Sequence, residues 1–389
     1  MHLEGLALND FRSYTDAALE LGPGVRVLVG PNAQGKTNLL ESVHYLATGG
    51  SHRVTSDVPL VRHGCDAGVI RAVARTGEDA RRVSIELELR PGGRNRARVN
   101  GQPQPRFRDA IGVVRAVLFA PEDLALVRGD PSDRRRFLDD LLAQRRPAYV
   151  VARQEYERVL RQRNRLLKDA RRRGGAPDLS LADWTDALVR AGCTLLAARV
   201  AVVHALAGPA DRAYAELLSG TPEPEAADHV TLAYELSSGR TVTADPLGGV
   251  PDPRELADEL RVALDARGPE ERERGLTLVG PHRDDLVLSV GALPAKGYAS
   301  HGESWSLALA LRLASGEVLA EVGDEPIVLL DDVFAELDDR RRERLAARCA
   351  AFEQVLVTAA VDADVPLAGP RYRVRGSAVT RVAQGEEVA

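Results

Sequence analysis

Apolar residues recur along this chain at two different periods. In the first third they form short blocks or alternate with polar residues. Leu3 to Ala7, Ala17 to Leu21 and Val25 to Val29 read as strands separated by turn residues. Val83 to Leu89 alternates cleanly, Pro91-Gly92-Gly93 turns the chain, and Ala97-Arg98-Val99 returns it, which predicts a hairpin with one wet face. Asn38 to Ala47 carries helical spacing instead. From Pro131 to Arg173 strand signals fade, and Phe137, Leu138, Leu141, Leu142, Val150 and Val151 fall at helical intervals, with Pro131-Ser132-Asp133 as a helix start. Gly174-Gly175-Ala176-Pro177 is expected to end that run. A second helix should open at Asp178 or Ser180 and reach about Leu206, and a shorter one should follow from Pro209 and Asp211. Loops are expected at Thr221 to Pro224 and Asp245 to Gly249. Past Gly275, buried-strand texture returns at Leu276 to Val279, Leu286 to Val290 and Ile327 to Leu330. The pattern is an α/β unit, a helical insertion, and the α/β unit resumed, with expected boundaries 1–121, 122–275 and 276–389.

Composition fits a globular chain without naming its chemistry: 389 residues, 44% hydrophobic and 28% charged, with only 4% aromatic residues to fill a core. The net charge of −5 excludes a uniformly basic coat protein but not a local basic surface. Cys65, Cys193 and Cys349 are isolated and odd in number, so neither a zinc site nor a disulfide framework is expected. Met1-His2-Leu3-Glu4 does not begin a signal peptide, and the apolar stretch Leu195 to Leu206 is broken by Arg199 and His204. The expectation is a soluble, cytoplasmic protein with no membrane partner.

The most specific signal is Gly30-Pro31-Asn32-Ala33-Gln34-Gly35-Lys36-Thr37, which fits G-x-x-x-x-G-K-[ST] between an apolar strand and a helical pattern. Glycines let successive backbone N–H groups curl toward phosphate oxygens, and the following helix adds its positive end. Lys36 reaches terminal phosphates, and the Thr37 hydroxyl is placed to ligate Mg²⁺. Lysine at this point, in a chain with three lysines and 49 arginines, indicates a need for a compact ammonium. Such a cradle needs a carboxylate at the end of a neighbouring buried strand. Ile327-Val328-Leu329-Leu330-Asp331-Asp332 supplies it, with Asp331 on the Mg²⁺ side and Asp332 as general base or water-orienter. Lys36 and Asp331 lie 295 residues apart, far more than in small kinases and GTPases, and no N-K-x-D device for guanine follows.

A third element, Ser300-His301-Gly302-Glu303, opens an apolar helix about thirty positions before the acids. Alone it reads first as an ordinary helix start, because Ser-Gly turns commonly cap helices. In the order cradle, insertion, Ser-x-Gly-Glu turn, acidic pair and Ala335-Glu336-Leu337-Asp338, the chain resembles the ABC-type ATPase heads of the SMC and Rad50 group, and within it the RecF family. The resemblance spans essentially the whole chain. It rests on Asn9 to Tyr14, Gly35 to Glu41, Ser51-His52-Arg53, Leu118 to Leu124, Asp133 to Asp139 and Gly280 to Leu286, the last two being specific to that family. It implies an ABC-type P-loop head of mixed β-sheet and helices, with an inserted helical arm domain. ATP at Gly30 to Asn38 would be capped by Ser300, Gly302 and Glu303 of a second copy, giving an ATP-dependent homodimer. Arg12 is open between a phosphate or adenine contact and a surface role. Two departures qualify the resemblance. Glu303 replaces the usual Gly or Gln, and Thr358 stands where transporter cassettes carry histidine, which implies slow ATP hydrolysis.

The resemblance also implies DNA as partner, at gapped or single-stranded sites, together with RecR and RecO, recombinase loading and the SOS response. Local charge agrees. Residues 81–115 hold nine arginines against three acids, and residues 134–173 hold fourteen basic residues against five acids. Arg94, Arg96 and Arg98 alternate along one hairpin face, as phosphate contacts would require; a solvated charge run reads the same way. The alternatives are another ABC or SMC-type head, or a P-loop phosphotransferase that does not act on DNA. His52 and His282 have no ligand partners at metal-site spacing and are expected to be structural or to lie on the DNA side.

Overall fold

The structure is a computed structural model that describes residues 1–77, 79–172, 180–219, 229–245 and 249–383. It begins with an antiparallel pair, β1 (His2–Phe11) and β2 (Tyr14–Glu20). β3 (Gly24–Val29) runs into the loop 30–35 and helix α1 (Lys36–Thr48). β4 (Gly68–Thr76), β5 (Arg81–Leu89), β6 (Arg96–Val99) and β7 (Gln102–Pro103) then complete an antiparallel sheet of order β2-β1-β4-β5-β6-β7. The expected hairpin is β5–β6, with Glu86 opposite Arg98 and Glu88 opposite Arg96. β8 (Ala116–Phe119) belongs to a second sheet.

Four helices follow: α2 (Leu124–Arg128), α3 (Pro131–Arg145), α4 (Pro147–Arg172) and α5 (Ser180–Ser219). The run expected to be continuous from Pro131 is two helices. Arg146, just before Pro147, is held extended at φ −143°, because the proline ring disfavours a helical conformation in the residue ahead of it. The break expected at Pro209 does not occur. α5 continues through it, with Leu206, Ala207, Ala210, Ala213 and Tyr214 buried on either side. That burial outweighs one lost backbone bond. The glycine stop at 174–177 and the loop at 221–224 lie outside the described residues, as do residues 246–248 of the loop expected after Asp245.

The insertion is not wholly helical. β9 (Val230–Glu235) and β10 (Thr241–Thr243) precede α6 (Pro253–Arg274), and β9 pairs with β11 (Asp285–Val290). With β12 (Leu293–Pro294) they form an antiparallel sheet of order β10-β9-β11-β12. Leu276 to Val279 forms no strand. Side chains replace a ladder there: the Leu278 N–H donates to Glu271, the Thr277 N–H to Asn164 and the Gly280 N–H to Ser237.

After the short α7 (Ala295–Tyr298) and α8 (His301–Ala320), the chain adds β13 (Ile327–Asp331), α9 (Asp339–Cys349), β14 (Gln354–Ala359), β15 (Arg371–Arg375) and β16 (Ala378–Arg381). The second sheet has order β16-β15-β3-β14-β13-β8, parallel throughout except for β16. Two compact units result, Met1–Asp123 with Ala213–Glu223 and Ala308–Ala389, and Leu124–Arg212 with Pro224–Leu307. They divide the chain at other points than the expected boundaries, since 276–307 joins the insertion through the β9–β11 ladder.

In the first unit one apolar cluster joins Leu6, Leu8 and Leu87 of the antiparallel sheet, Leu40, Val43 and Leu46 of α1, and Leu28, Leu118, Leu329 and Leu356 of the parallel sheet. That packing fixes α1, and with it the loop before it. The loop is also wedged from the side, because a Cβ on Gly30 would lie 2.1 Å from the Val374 carbonyl of β15. Backbone cannot yield as a side chain can, so Gly30→Ala should destabilise this unit by about 1–3 kcal/mol or more. A fall in the thermal midpoint without nucleotide is the expected readout.

The second unit is organised around buried arginines. Arg199 donates to Asp139 (2.9 Å), the Pro281 carbonyl (2.6 Å) and the Tyr234 hydroxyl (3.2 Å), and Tyr234 donates to Asp284. Arg163 pairs with Glu271 at 2.6 Å, with both residues buried. His282 is used on both nitrogens, accepting from the Tyr156 hydroxyl at 2.7 Å and donating to the Thr277 carbonyl at 3.2 Å. Burial lowers its pKa to about 4, so it is a neutral structural histidine. α5 is long and apolar enough to cross a membrane, yet half of its most apolar window is buried in the protein, and it carries Arg199. Arg199→Leu would remove the nearer of the two cations at Asp139, leaving Arg153 at 3.7 Å, and would leave the Tyr234 hydroxyl and the Pro281 carbonyl without their guanidinium, so it should cost about 3 kcal/mol. Trp184 and Trp305 both lie in this unit, so a lowered urea midpoint followed by tryptophan fluorescence tests it.

Candidate functional site

The phosphate-cradle sequence and the acidic pair, far apart in the chain, meet because β3, β14 and β13 are adjacent parallel strands. Asp331 pairs in register with Thr358, and Ala359, the next residue on β14, pairs with Val29. The loop after Val29 and the acids after Leu330 therefore emerge at the same sheet edge, where parallel α/β sheets hold their ligands.

The loop needs its glycine at position 35. Gly35 sits at φ 107°, and an added Cβ would meet the Tyr14 hydroxyl at 2.8 Å. Ala33 is also left-handed, at φ 62°. Pro31, Asn32 and Ala33 are exposed. Gly35 is the N-cap of α1, and no side chain caps that helix. Its first-turn N–H groups therefore suit an anion.

Lys36 lies inside the loop, its ammonium donating to the Gly30 carbonyl (2.8 Å) and the Pro31 carbonyl (3.2 Å), 3.9 Å from Asp332. The Thr37 hydroxyl donates to Asp331 at 3.1 Å, and Thr358 donates to the same oxygen at 2.6 Å. The Asp332 N–H donates to the Thr358 hydroxyl at 3.0 Å, and Asp332 sits at φ 50°, which turns the chain at the strand end. Burial pushes the Asp331 carboxyl up to about 6, with Asp332 and Glu122 adding to the shift and the two threonine hydrogen bonds opposing it. A group held partly neutral by burial gains strongly from a cation at its face. Thr37 and Asp331 offer hard oxygen donors. No group of three or more His, Cys, Asp or Glu that could hold a metal ion occurs among the described residues. That donor set fits Mg²⁺, which takes one or two protein oxygens and fills its other positions from water and phosphate.

Gln34 and Asn38 have structural partners. The Gln34 side-chain oxygen accepts from the Gly376 N–H (2.7 Å) and its carbonyl from the Ser377 N–H (3.3 Å), both in the β15–β16 turn. Asn38 donates to Ser13 and accepts from Arg53. Arg12 grips buried Glu41 with two nitrogens, at 2.8 and 2.5 Å, and donates to the Pro59 carbonyl at 3.0 Å. In this structure it braces α1 against the neighbouring loop. The sequence reading missed Tyr14, Glu41, Thr358 as an Asp331 partner, and the Gly376–Ser377 turn. Thr358 had a signal, being the polar residue that ends an apolar strand. The others had none, since their roles come from pairing over long sequence separations.

Ser300, Gly302 and Glu303 belong to the other unit. The Ser300 N–H donates to the Glu303 carboxylate at 2.7 Å, and the Glu303 N–H donates to the Ser300 hydroxyl at 3.3 Å. This is a reciprocal capping box, legible in hindsight as S-x-x-E. Glu303 thus turns its charge onto its own helix start. Arg96 and Arg98 lie exposed on β6, facing Glu88 at 3.9 Å and Glu86 at 3.7 Å, and Arg94 is exposed in the preceding turn.

Comparison with known proteins places this architecture. A family profile described as RecF/RecN/SMC N terminal domain matches residues 2–376. The DNA replication and repair protein RecF of Streptomyces avermitilis is 55% identical, covering 98% of this chain and 100% of that protein. The RecF protein of Frankia alni is 52% identical, with 98% and 100% covered. A solved structure described as the recombination mediator protein RecF-ATP in the RecFOR pathway superposes with a TM-score of 0.87 at 26% identity, covering 98% of each chain. An SMC head bound to a ScpA domain, at 16% identity and a TM-score of 0.54 over 99% of this chain and 98% of that one, shares the fold alone. The fold is an ABC-type ATPase head with an insertion, and the chain belongs to the RecF family.

Proposed function

We propose that this chain is an ATP-binding DNA repair protein in which ATP joins two copies into a clamp on DNA. The observation that carries the nucleotide half is the convergence of Lys36, Thr37, Asp331 and Asp332 at one sheet edge. The DNA half rests on family membership, because the related proteins are described as acting in DNA replication and repair.

The backbone from Gly30 to Asn38 would receive the triphosphate. Lys36, now held by two loop carbonyls, would trade one of those bonds for a terminal phosphate oxygen. Thr37 and Asp331 would hold Mg²⁺, which when bound neutralises charge on the β- and γ-phosphate oxygens. Thr358 keeps Asp331 aimed, and Asp332 is the residue placed to orient a water or take its proton. Ser300 and Gly302 of a second copy would close the site over the γ-phosphate. Glu303 accepts from the Ser300 N–H, so part of its charge is offset by its own helix start. A ligand that the dimer binds more tightly than the monomer stabilises the dimer by that difference, about 2.7 kcal/mol per site for a hundredfold difference in affinity, and loss of the γ-phosphate releases the copies. RecO and RecR are the proposed partners, as the pathway name of the solved relatives suggests, with the cytoplasm as the compartment.

Sedimentation should show monomer converting to dimer only with ATP and Mg²⁺. Ser300→Arg should abolish dimerisation while leaving the affinity of the monomer's own cradle for nucleotide unchanged. Lys36→Ala should weaken ATP binding more than tenfold, whereas Asp332→Asn should retain binding and hold the dimer. ATP-independent association, or none at all, would count against the clamp, and turnover of a phosphoacceptor indifferent to Ser300→Arg would favour the phosphotransferase reading. Thr358→Val keeps the side-chain shape but removes the bond to Asp331. It should weaken Mg²⁺-dependent ATP affinity about tenfold with little change in Mg²⁺-free affinity, measured by calorimetry.

A further inference from the structure

The excess positive charge of residues 134–173 separates, in three dimensions, into cations already in use and cations left over. Arg134 is spent on Asp285 (2.7 Å) and Arg163 on Glu271 (2.6 Å). Arg135 donates to the Asp284 carbonyl (2.7 Å). Arg153 serves Glu157 and Asp139, and Arg158 serves Glu155. On α4, the buried positions Tyr156, Val159, Arg163, Leu167 and Ala170 define the inward face. Arg161, Arg165, Lys168 and Arg172 fall on the opposite side, all exposed, at intervals of four, three and four residues. That spacing stacks them in one row. Arg172 has a loose pair with Asp169 at 3.8 Å. Among the described residues, Arg161, Arg165 and Lys168 take part in no ion pair.

At about 1.5 Å rise per residue the row is about 16 Å long, a length over which one DNA strand presents roughly five phosphates. Four cations along one rigid helix, without aromatic residues between them, match a regular polyanion rather than a folded acidic surface. The hairpin arginines differ, because Arg96 and Arg98 each have a glutamate across the strand, and Glu86 also holds Arg71. A charge already compensated releases fewer counterions on binding. A solvated helix face of the ordinary kind would interleave acids with these cations; none of the four row positions is an acid, and among the described residues Asp169, beside Lys168, pairs only with Arg172.

We propose that the α4 row Arg161–Arg165–Lys168–Arg172 is a phosphate-contacting surface for DNA, and that it contributes more to DNA binding than the β5–β6 hairpin. This rests on the proposed DNA-binding function and assigns it a face. The contacts are to backbone, so they carry affinity and salt dependence with little base preference.

The test is anisotropy of a labelled duplex and of a labelled single strand of the same sequence, with ATP and Mg²⁺ present, between about 50 and 200 mM salt. Arg161→Gln/Arg165→Gln/Lys168→Gln should reduce the slope of log K against log salt by about 3 on the duplex and weaken binding about tenfold or more. ATP affinity should be unchanged. Arg161→Lys/Arg165→Lys should keep the slope, which separates charge from helix stability. Arg94→Gln/Arg96→Gln/Arg98→Gln should reduce it less than the α4 triple. If wild type binds DNA and the α4 triple keeps its slope and affinity, or if the hairpin triple shows the larger loss, the assignment is overturned. Wild type that binds neither DNA while still dimerising with ATP would overturn the DNA-binding function itself, and the assignment with it.

Discussion

The nucleotide site depends on parallel pairing of three strands, β3, β14 and β13, drawn from opposite ends of the chain. Each parallel pair places strand ends at the same edge, so the loop after Val29 and the acids after Leu330 share one level, with Thr358 between them. The hydroxyl of Thr358 spans the gap by donating to Asp331 and accepting from the Asp332 backbone. Without that register, Lys36 and Asp332 would be a coincidence of sequence rather than a facing pair. Local strain has the same origin. Left-handed residues at Ala33, Gly35 and Asp332 turn the chain sharply where each strand delivers it, a cost of the kind that active sites carry and surrounding packing supports.

Charge is managed differently in the two units. The first concentrates a few ionisable groups at one sheet edge, with Asp331 shifted by burial. The second buries Arg163 and Arg199 among carboxylates, hydroxyls and carbonyls, so that guanidinium groups do structural work a larger aromatic core would otherwise share. This explains why a strongly basic stretch of sequence is a poor guide to a binding surface. Much of that charge is consumed in holding α3, α4 and β11 together, whereas Arg161, Arg165 and Lys168 on the outward face of α4 take part in no ion pair among the described residues.

The loop 30–37, the acidic pair and the β5–β6 hairpin were legible in the sequence because each is local: a few residues at fixed spacing set the geometry. The break at Pro147 was legible in principle, since a proline constrains the residue before it, but the apolar spacing on both sides concealed it. Pro209 misled in the other direction, because burial along α5 overrides one missing hydrogen bond. β9 was missed and Leu276 to Val279 wrongly read as a strand for one reason. An apolar run of four or five residues does not reveal whether its backbone groups meet a ladder or side chains. Glu41 beneath Arg12, and Gly376 above Gln34, depend on long-range pairing that no window of sequence contains.

The contact between Gln34 and the Gly376–Ser377 turn bears on how the protein is made. The loop at residue 30 is translated almost first, yet β14 lies beside β3 on one side and β15 on the other, and both are translated last. While the ribosome is still adding residues, the early segment has neither flanking strand nor the turn that holds its tip. A nascent copy therefore carries the residues of the phosphate loop long before it has their geometry, which is complete only when synthesis has passed residue 377.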